Sequence, residues 1–146
     1  MKILWIDDDA YDLEYLLYKF NTSGNWVEQI DNIPQAYEVL RSRCDEFDLI
    51  LLDLMMPRTD RYGNIPDWLS EEISHGENGL HLIRKIRNDI SKTITIVVVS
   101  IIGPVALTAL DLECYAPIEF IRKTPHVIKD IDKKLLSIIE KNKKTS

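Results

Sequence analysis

The residues of this chain best suited to chemistry are acids, a serine and a lysine, each placed at the end of an apolar run. Asp7 and Asp8 follow Lys2-Ile3-Leu4-Trp5-Ile6, and Asp53 follows Leu49-Ile50-Leu51-Leu52. Ser100 follows Thr93–Val99, the most β-branched stretch, and Lys123 follows Glu119-Phe120-Ile121-Arg122. Three carboxylates gathered in one place repel one another and raise each other's pKa unless a cation compensates. A hard, oxygen-seeking divalent ion is the natural partner, and two or three carboxylates with several waters suit Mg²⁺. A lysine beside them adds a point positive charge and a serine adds a hydrogen bond. Metal, ammonium and hydroxyl together make a site for a highly charged oxyanion, above all a phosphoryl group. A carboxylate can itself be the nucleophile, giving an aspartyl-phosphate. The residue types and their spacing therefore suggest a Mg²⁺-dependent phosphoryl site with an Asp nucleophile.

Each residue also has a plainer reading. Asp8 or Asp9 can cap the helix that follows, the commonest role of an acid there. Ser100 can be a turn residue and Lys123 a surface lysine. What argues for a site is that four separate strand ends carry these groups, where α/β sheets place their ligands.

The elements that must position them follow from periodicity. Strands are predicted over residues 2–6, 26–30, 48–53, 93–99 and 119–122, as short apolar or β-branched runs bounded by polar and breaker residues. Helical spacing links Leu13, Leu16, Leu17 and Phe20, with Tyr11, Tyr15 and Tyr18 expected at the margin of that stripe. It recurs from Pro34 to about Arg43, from Leu80 through Ile83 and Ile86 to Ile90, and from Pro104 to about Glu113. The last helix is marked by Thr124 as N-cap, Pro125 in the first turn, and Val127, Ile128, Ile131, Leu135, Ile138 and Ile139. Five β-α units in alternation argue for a parallel sheet with helices on both faces, although the pattern alone leaves the strand order open. Between Pro57 and Gly79 the periodicity fails. A short helix from Asp67 to Ser74, closed by Gly76, is the one regular piece expected there.

The totals narrow the function class. With 146 residues the chain reads as one domain, 1–146, able to bury a core without staples. Cys44 and Cys114 are too few and too far apart for a metal cluster or a disulfide framework. No apolar run reaches membrane-span length, and Met1-Lys2 leads straight into a strand, so a cytoplasmic location is the default expectation. The net charge of −6 is uneven: residues 122–146 hold 8 basic and 3 acidic side chains, the rest 10 and 21. That acidic majority would repel phosphate backbones, which argues against direct nucleic-acid binding.

With these residues in hand, the chain resembles the receiver domain of two-component response regulators. The matching pieces are Asp7-Asp8, Asp53 with Met56-Pro57 behind it, Gly79-Leu80 opening a helix that runs to Ile86-Arg87, Ser100, and Lys123. The resemblance implies a flavodoxin-like, doubly wound five-stranded sheet in the order 2-1-3-4-5. It implies Asp53 as phosphoacceptor from a histidine kinase or phosphotransfer protein. Asp7, Asp8, Asp53 and the Met55 backbone carbonyl would hold Mg²⁺. Ser100 and Lys123 would bind phosphoryl oxygens, and Ser100 and Phe120 would move on activation; a buried core aromatic is the equal alternative for Phe120. A phosphoryl group adds charge and acceptor oxygens at a crowded rim, which suits a switch that alters binding of a downstream protein. Such a chain is a signalling phosphoacceptor rather than an enzyme.

Three departures from the family pattern stand out. Asp53 and Gly79 lie 26 positions apart where the family has a short turn, so 58–78 reads as an inserted loop: a lid, a partner site or a disordered segment. Ile101 stands after Ser100 where the family keeps a small residue, narrowing access to Asp53. Lys123 is followed by Thr124 rather than directly by proline, which changes the turn that places the lysine. These features motivate an alternative, a pseudo-receiver serving as a constitutive protein-interaction module without phosphorylation. A phosphatase with an Asp nucleophile fits less well, because the position of its general acid is Met55. Met55 and Ile102 place apolar bulk where an attacking water would stand, so slow self-dephosphorylation is expected. The chain ends just past the fifth helix, so the expectation is a stand-alone receiver.

Overall fold

The computed structural model describes residues 1–9, 14–22, 24–71, 77–101, 104–123 and 128–145. Strands β1 (Lys2–Ile6), β2 (Trp26–Ile30), β3 (Leu49–Leu52), β4 (Thr95–Ser100) and β5 (Ile118–Arg122) alternate with helices α1 (Glu14–Thr22), α2 (Ile33–Arg43), α3 (Gly79–Lys85), α4 (Pro104–Leu110) and α5 (Ile128–Thr145). The strands form one parallel sheet in the order β2-β1-β3-β4-β5. This is the flavodoxin-like, doubly wound arrangement, and it supplies the strand order that periodicity left open.

Alternation along the strands explains the two layers. Leu4, Ile6, Ile50, Leu52, Ile96 and Val98 point to one face, where they pack with Ile33, Ala36 and Leu40 of α2 and Leu80, Leu82 and Ile83 of α3. Ile3, Trp5, Leu49, Leu51, Val97 and Val99 point to the other, against Phe20 of α1 and Leu135 and Ile139 of α5. All four residues of β3 are fully buried. A central strand covered on both faces must be apolar throughout, and each such side chain contributes roughly 1.5–3 kcal/mol on burial.

Helix starts are set locally. Asn32 accepts from the Gln35 amide at 2.9 Å, capping α2 with Pro34 in its first turn. The helix predicted over residues 80–90 divides into α3 and a π-helical turn at Ile86–Ile90. Within that turn the Arg87 guanidinium points inward and donates to the carbonyls of Ser91, Ile94, Tyr115 and Pro117 at 2.8–3.0 Å. The helix predicted over residues 104–113 ends at Leu110, where Asp111 adopts a left-handed conformation (φ 50°) and a 3₁₀ turn takes Leu112–Tyr115. Tyr18, expected beside the α1 stripe, is 69% exposed. The expectations on Leu13 and Tyr11, and on Thr124, Pro125 and Val127 at the start of the last helix, fall outside the described residues.

The β3–α3 connection is folded down, not loose, over its described part. Asp60 Oδ1 accepts the amides of Tyr62 and Asn64 at 2.8 and 2.9 Å, closing a tight turn through Gly63 (φ 82°). Among the connection's described residues only Asp67–Leu69 is helical, as a single 3₁₀ turn; residues 72–76, which include Ser74 and Gly76 of the predicted helix, lie outside them. Leu69 is fully buried in the α2/α3 layer, and the Trp68 ring lies 4.9 Å from that of Tyr37. Lys85 Nζ sits 5.7 Å from both ring centroids. Arg58 donates to the Ser70 carbonyl, and the His81 ring bonds the Glu71 carbonyl at 2.6 Å. The Trp68, Leu69 and Glu71 contacts run to α2 and α3, whereas Arg58–Ser70 closes the connection on itself.

Candidate functional site

The carboxyl edge of the sheet brings the sequence-predicted residues together, and the ladder itself holds them. Just past the strand ends, Asp7 donates its amide to the Ile30 carbonyl (3.0 Å), and Asp53 to the Ile6 carbonyl (3.0 Å). Lys123 donates to the Ser100 carbonyl at 2.7 Å. Each rim side chain is therefore fixed by a backbone bond to the neighbouring strand, and a parallel ladder puts all of them on one edge.

Asp7, Asp8 and Asp53 each present a carboxylate oxygen within 4.8 Å of the others. Asp7 is fully buried, Asp53 nearly so, and Asp8 exposed. Asp53 Oδ1 accepts from the Met55 amide (3.0 Å) and the Ser100 hydroxyl (3.1 Å), with Ser100 itself fully buried. Lys123 Nζ lies 3.0 Å from Asp7 Oδ2 and 3.6 Å from Asp53 Oδ2. Asp7 Oδ1 accepts the Asp9 amide at 2.9 Å.

One ammonium faces three carboxylates, and the titration directions reflect that imbalance. Burial pushes the Asp7 carboxyl above its ordinary range, and the Asp9 amide and Lys123 only partly offset it. The Asp8 carboxyl moves up as well: although the residue is exposed overall, its carboxyl is partly shielded from water by the site, and the neighbouring Asp53 charge adds to the rise. Burial alone would lower Lys123, but Asp7 and Asp53 outweigh it and hold the ammonium charged above its ordinary range. An all-oxygen donor set with surplus negative charge, partly buried and open on the Asp8 side, fits a hard divalent cation such as Mg²⁺.

Other sequence-predicted positions are placed less centrally. Met55 is half-buried and packs against the α2/α3 layer. Phe120 is half-buried too; it packs against the same layer and lines a cleft of about 370 Å³ with Leu107, Leu112 and Ile118. Ile101 is 59% exposed beside Ser100, so its apolar bulk faces solvent at the rim. Ile102 and Thr124 lie outside the described residues.

Two residues at the start of α3 support the site in ways that spacing did not reveal. A Cβ on Gly79 would stand 2.7 Å from the Asp53 carbonyl oxygen and 2.8 Å from Leu54 Cα, so only glycine lets α3 approach this closely. The Gly79 amide donates to the Leu54 carbonyl at 2.9 Å. Asn78, buried, donates through Nδ2 to the Met56 carbonyl at 2.9 Å. The sequence signal for Gly79 was its position at a helix start; for Asn78 there was no distinguishing signal.

Comparisons with known proteins bear on this geometry. No protein-family model and no curated protein matches the sequence. Solved structures do match over nearly the whole chain. A response regulator receiver protein from Pseudomonas putida is 24% identical with a TM-score of 0.69, over 96% of this chain and 95% of that one. A response regulator receiver domain protein from Clostridium thermocellum is 19% identical with a TM-score of 0.67, over 99% and 98%. A structure described as adenylate cyclase from Rhodopirellula baltica is 23% identical with a TM-score of 0.65, over 97% and 88%. Among the described residues no helix is long and apolar enough to cross a membrane. Strand order, layer arrangement and these likenesses agree: the chain has the fold of the response regulator receiver domain.

Proposed function

We propose that this protein is a phosphoacceptor receiver of a two-component phosphorelay, with Asp53 taking a phosphoryl group from a phosphohistidine donor. The observation that carries the reading is the setting of Asp53. Its carboxylate stands beside Asp7 and Asp8, bonded by Ser100 and faced by Lys123, at the carboxyl edge of the sheet.

In the transfer, an Asp53 oxygen forms a bond to phosphorus as the phosphorus–nitrogen bond of the donor breaks. The imidazole leaves with the bonding electron pair, and the product is an aspartyl-phosphate. Bound at Asp7, Asp8, Asp53 and the Met55 carbonyl, Mg²⁺ would neutralise charge on the phosphoryl oxygens. Lys123 adds a fixed positive charge on the same side, and the Ser100 hydroxyl leaves Asp53 to donate to a phosphoryl oxygen. Ser100 moving inward, with half-buried Phe120 following into the cleft beside Leu107, would change the surface that a downstream protein reads. Met55 and its apolar neighbours disfavour placing an attacking water, so the adduct is long-lived and the chain is a signalling acceptor rather than an enzyme. The 1–146 chain acts as one receiver, and 58–78 is an insertion braced on α2 and α3.

The test is to incubate the protein with Mg²⁺ and a small phosphodonor and to measure intact mass. One added phosphoryl group, absent in Asp53→Asn, is expected. No adduct, or an adduct that persists in Asp53→Asn, overturns the reading and leaves a constitutive interaction module as the function of this fold.

A further inference from the structure

Two asparagines begin helices on the same face of this sheet, and they use their side chains differently. Asn32 caps α2 in the usual way, accepting the Gln35 amide. Asn78 stands at the same position before α3 but makes no capping bond. Its amide instead reaches back 22 positions and donates to the Met56 carbonyl, in a buried contact of 2.9 Å.

The consequence lies in the three peptide planes after Asp53. The Leu54 carbonyl accepts from the Gly79 and Met56 amides, both at 2.9 Å. The Met55 amide is held by Asp53 Oδ1 at 3.0 Å. The Met56 carbonyl is held by Asn78. The peptide carrying the Met55 carbonyl oxygen is thus bonded through its own Met56 amide and pinned on both sides from α3. A carbonyl ligand binds a hard cation well only when its oxygen is held in place, because outer bonds orient ligands and tune affinity.

We propose that Asn78 is a positioning residue for cation binding: by holding the Met56 carbonyl it fixes the direction of the Met55 carbonyl oxygen at the acidic site. The inference rests on the reading of this site as a Mg²⁺ site. It also gives the long β3–α3 connection a role, since that connection delivers Asn78 and Gly79 to the acceptor loop.

The test compares the full chain with Asn78→Ala and with Leu135→Ala, a destabilising control on α5 whose side chain is buried against the opposite face of the sheet. Mg²⁺ binding is measured by calorimetry, folding by thermal melting, and phosphorylation by a small phosphodonor across a Mg²⁺ series. Asn78→Ala is expected to weaken Mg²⁺ about tenfold and to slow phosphorylation at limiting Mg²⁺ equally, with the maximal rate recovered at saturation. Leu135→Ala is expected to lower the melting temperature without moving the Mg²⁺ midpoint. Folded Asn78→Ala with unchanged Mg²⁺ affinity, or with a reduced maximal rate and an unmoved midpoint, overturns the inference. If Asn78→Ala does not fold, Asn78→Asp is measured instead, which keeps the volume and lacks the amide donor; unchanged affinity there is equally fatal. Wild-type protein that binds no Mg²⁺ overturns the reading of the site itself, a result distinct from either.

Discussion

Lys123 and Asp7, 116 positions apart in the chain, meet at 3.0 Å at the carboxyl edge of the sheet, with the carboxylate fully buried and the lysine side chain 16% exposed. Asp53 is the second carboxylate within reach of the same ammonium, at 3.6 Å. The lysine therefore balances both acids, and under the proposed function it is the cation that an added phosphoryl group would meet.

Removing Lys123 leaves two buried acids without their cation. Lys123→Met is expected to destabilise the metal-free protein by about 2–3 kcal/mol at neutral pH, as a buried charge loses its partner. Urea unfolding with and without Mg²⁺ checks this. Mg²⁺ should recover most of the loss, while the rate of phosphorylation stays depressed.

The pH dependence of the metal-free protein has a defined sign. Burial raises the Asp7 carboxyl, and with it Asp8, above the ordinary 3.8. Over the window from 3.8 up to those raised values the folded state binds more protons than the unfolded state, so stability falls as pH rises through it. Lys123 acts in the same sense at the alkaline end, stabilising below its ordinary 10.5 and losing that contribution as pH climbs through its raised value. Melting temperatures across pH 3.5–7 are expected to flatten in Asp7→Asn. Mg²⁺ should reverse the acid-side slope, because the ion binds the ionised carboxylates and adds about 2.7 kcal/mol at a hundredfold excess over its Kd.

Gly79→Ala is a severe test of the α3 approach. The added methyl would meet the backbone of Asp53 and Leu54 rather than a yielding side chain. A loss of about 2–3 kcal/mol is expected, with a slower phosphoryl transfer as Asp53 is displaced. Retained stability together with wild-type phosphorylation would show that the helix can retreat without consequence.

Arg87 offers the complementary control, far from the acids. Its guanidinium satisfies four carbonyls at the amino end of β4 and β5, and burial lowers its pKa. Arg87→Met should destabilise the protein by about 3 kcal/mol, as those carbonyls lose their donors, and leave the Mg²⁺ midpoint unmoved. Denaturant unfolding and calorimetry on the same variant separate the two effects.

The alternation of apolar runs and helical stripes was enough to read five β-α units, and the acids, serine and lysine at run ends were enough to name the groups that meet at the carboxyl edge. Both signals are local: a strand buried on both faces must be continuously apolar, and its end is marked by the first polar residue. Strand order is not local. It depends on which crossovers pack: periodicity left it open, the family resemblance implied 2-1-3-4-5, and the folded sheet has that order, with β1 between β2 and β3. The same limit hid the bracing of the β3–α3 connection, because Trp68 against Tyr37 and Asn78 against Met56 join positions 31 and 22 residues apart with no repeating pattern. Arg87 was hidden for a related reason, since a charged residue on an apolar helix reads as solvated until four carbonyls are found around it. The sequence by itself determined which groups reach the carboxyl edge; tertiary structure decided their distances, that one ammonium serves two buried acids, and which backbone planes are held. Spacing along a chain carries periodicity, whereas hydrogen-bond geometry between distant segments exists only once those segments have packed.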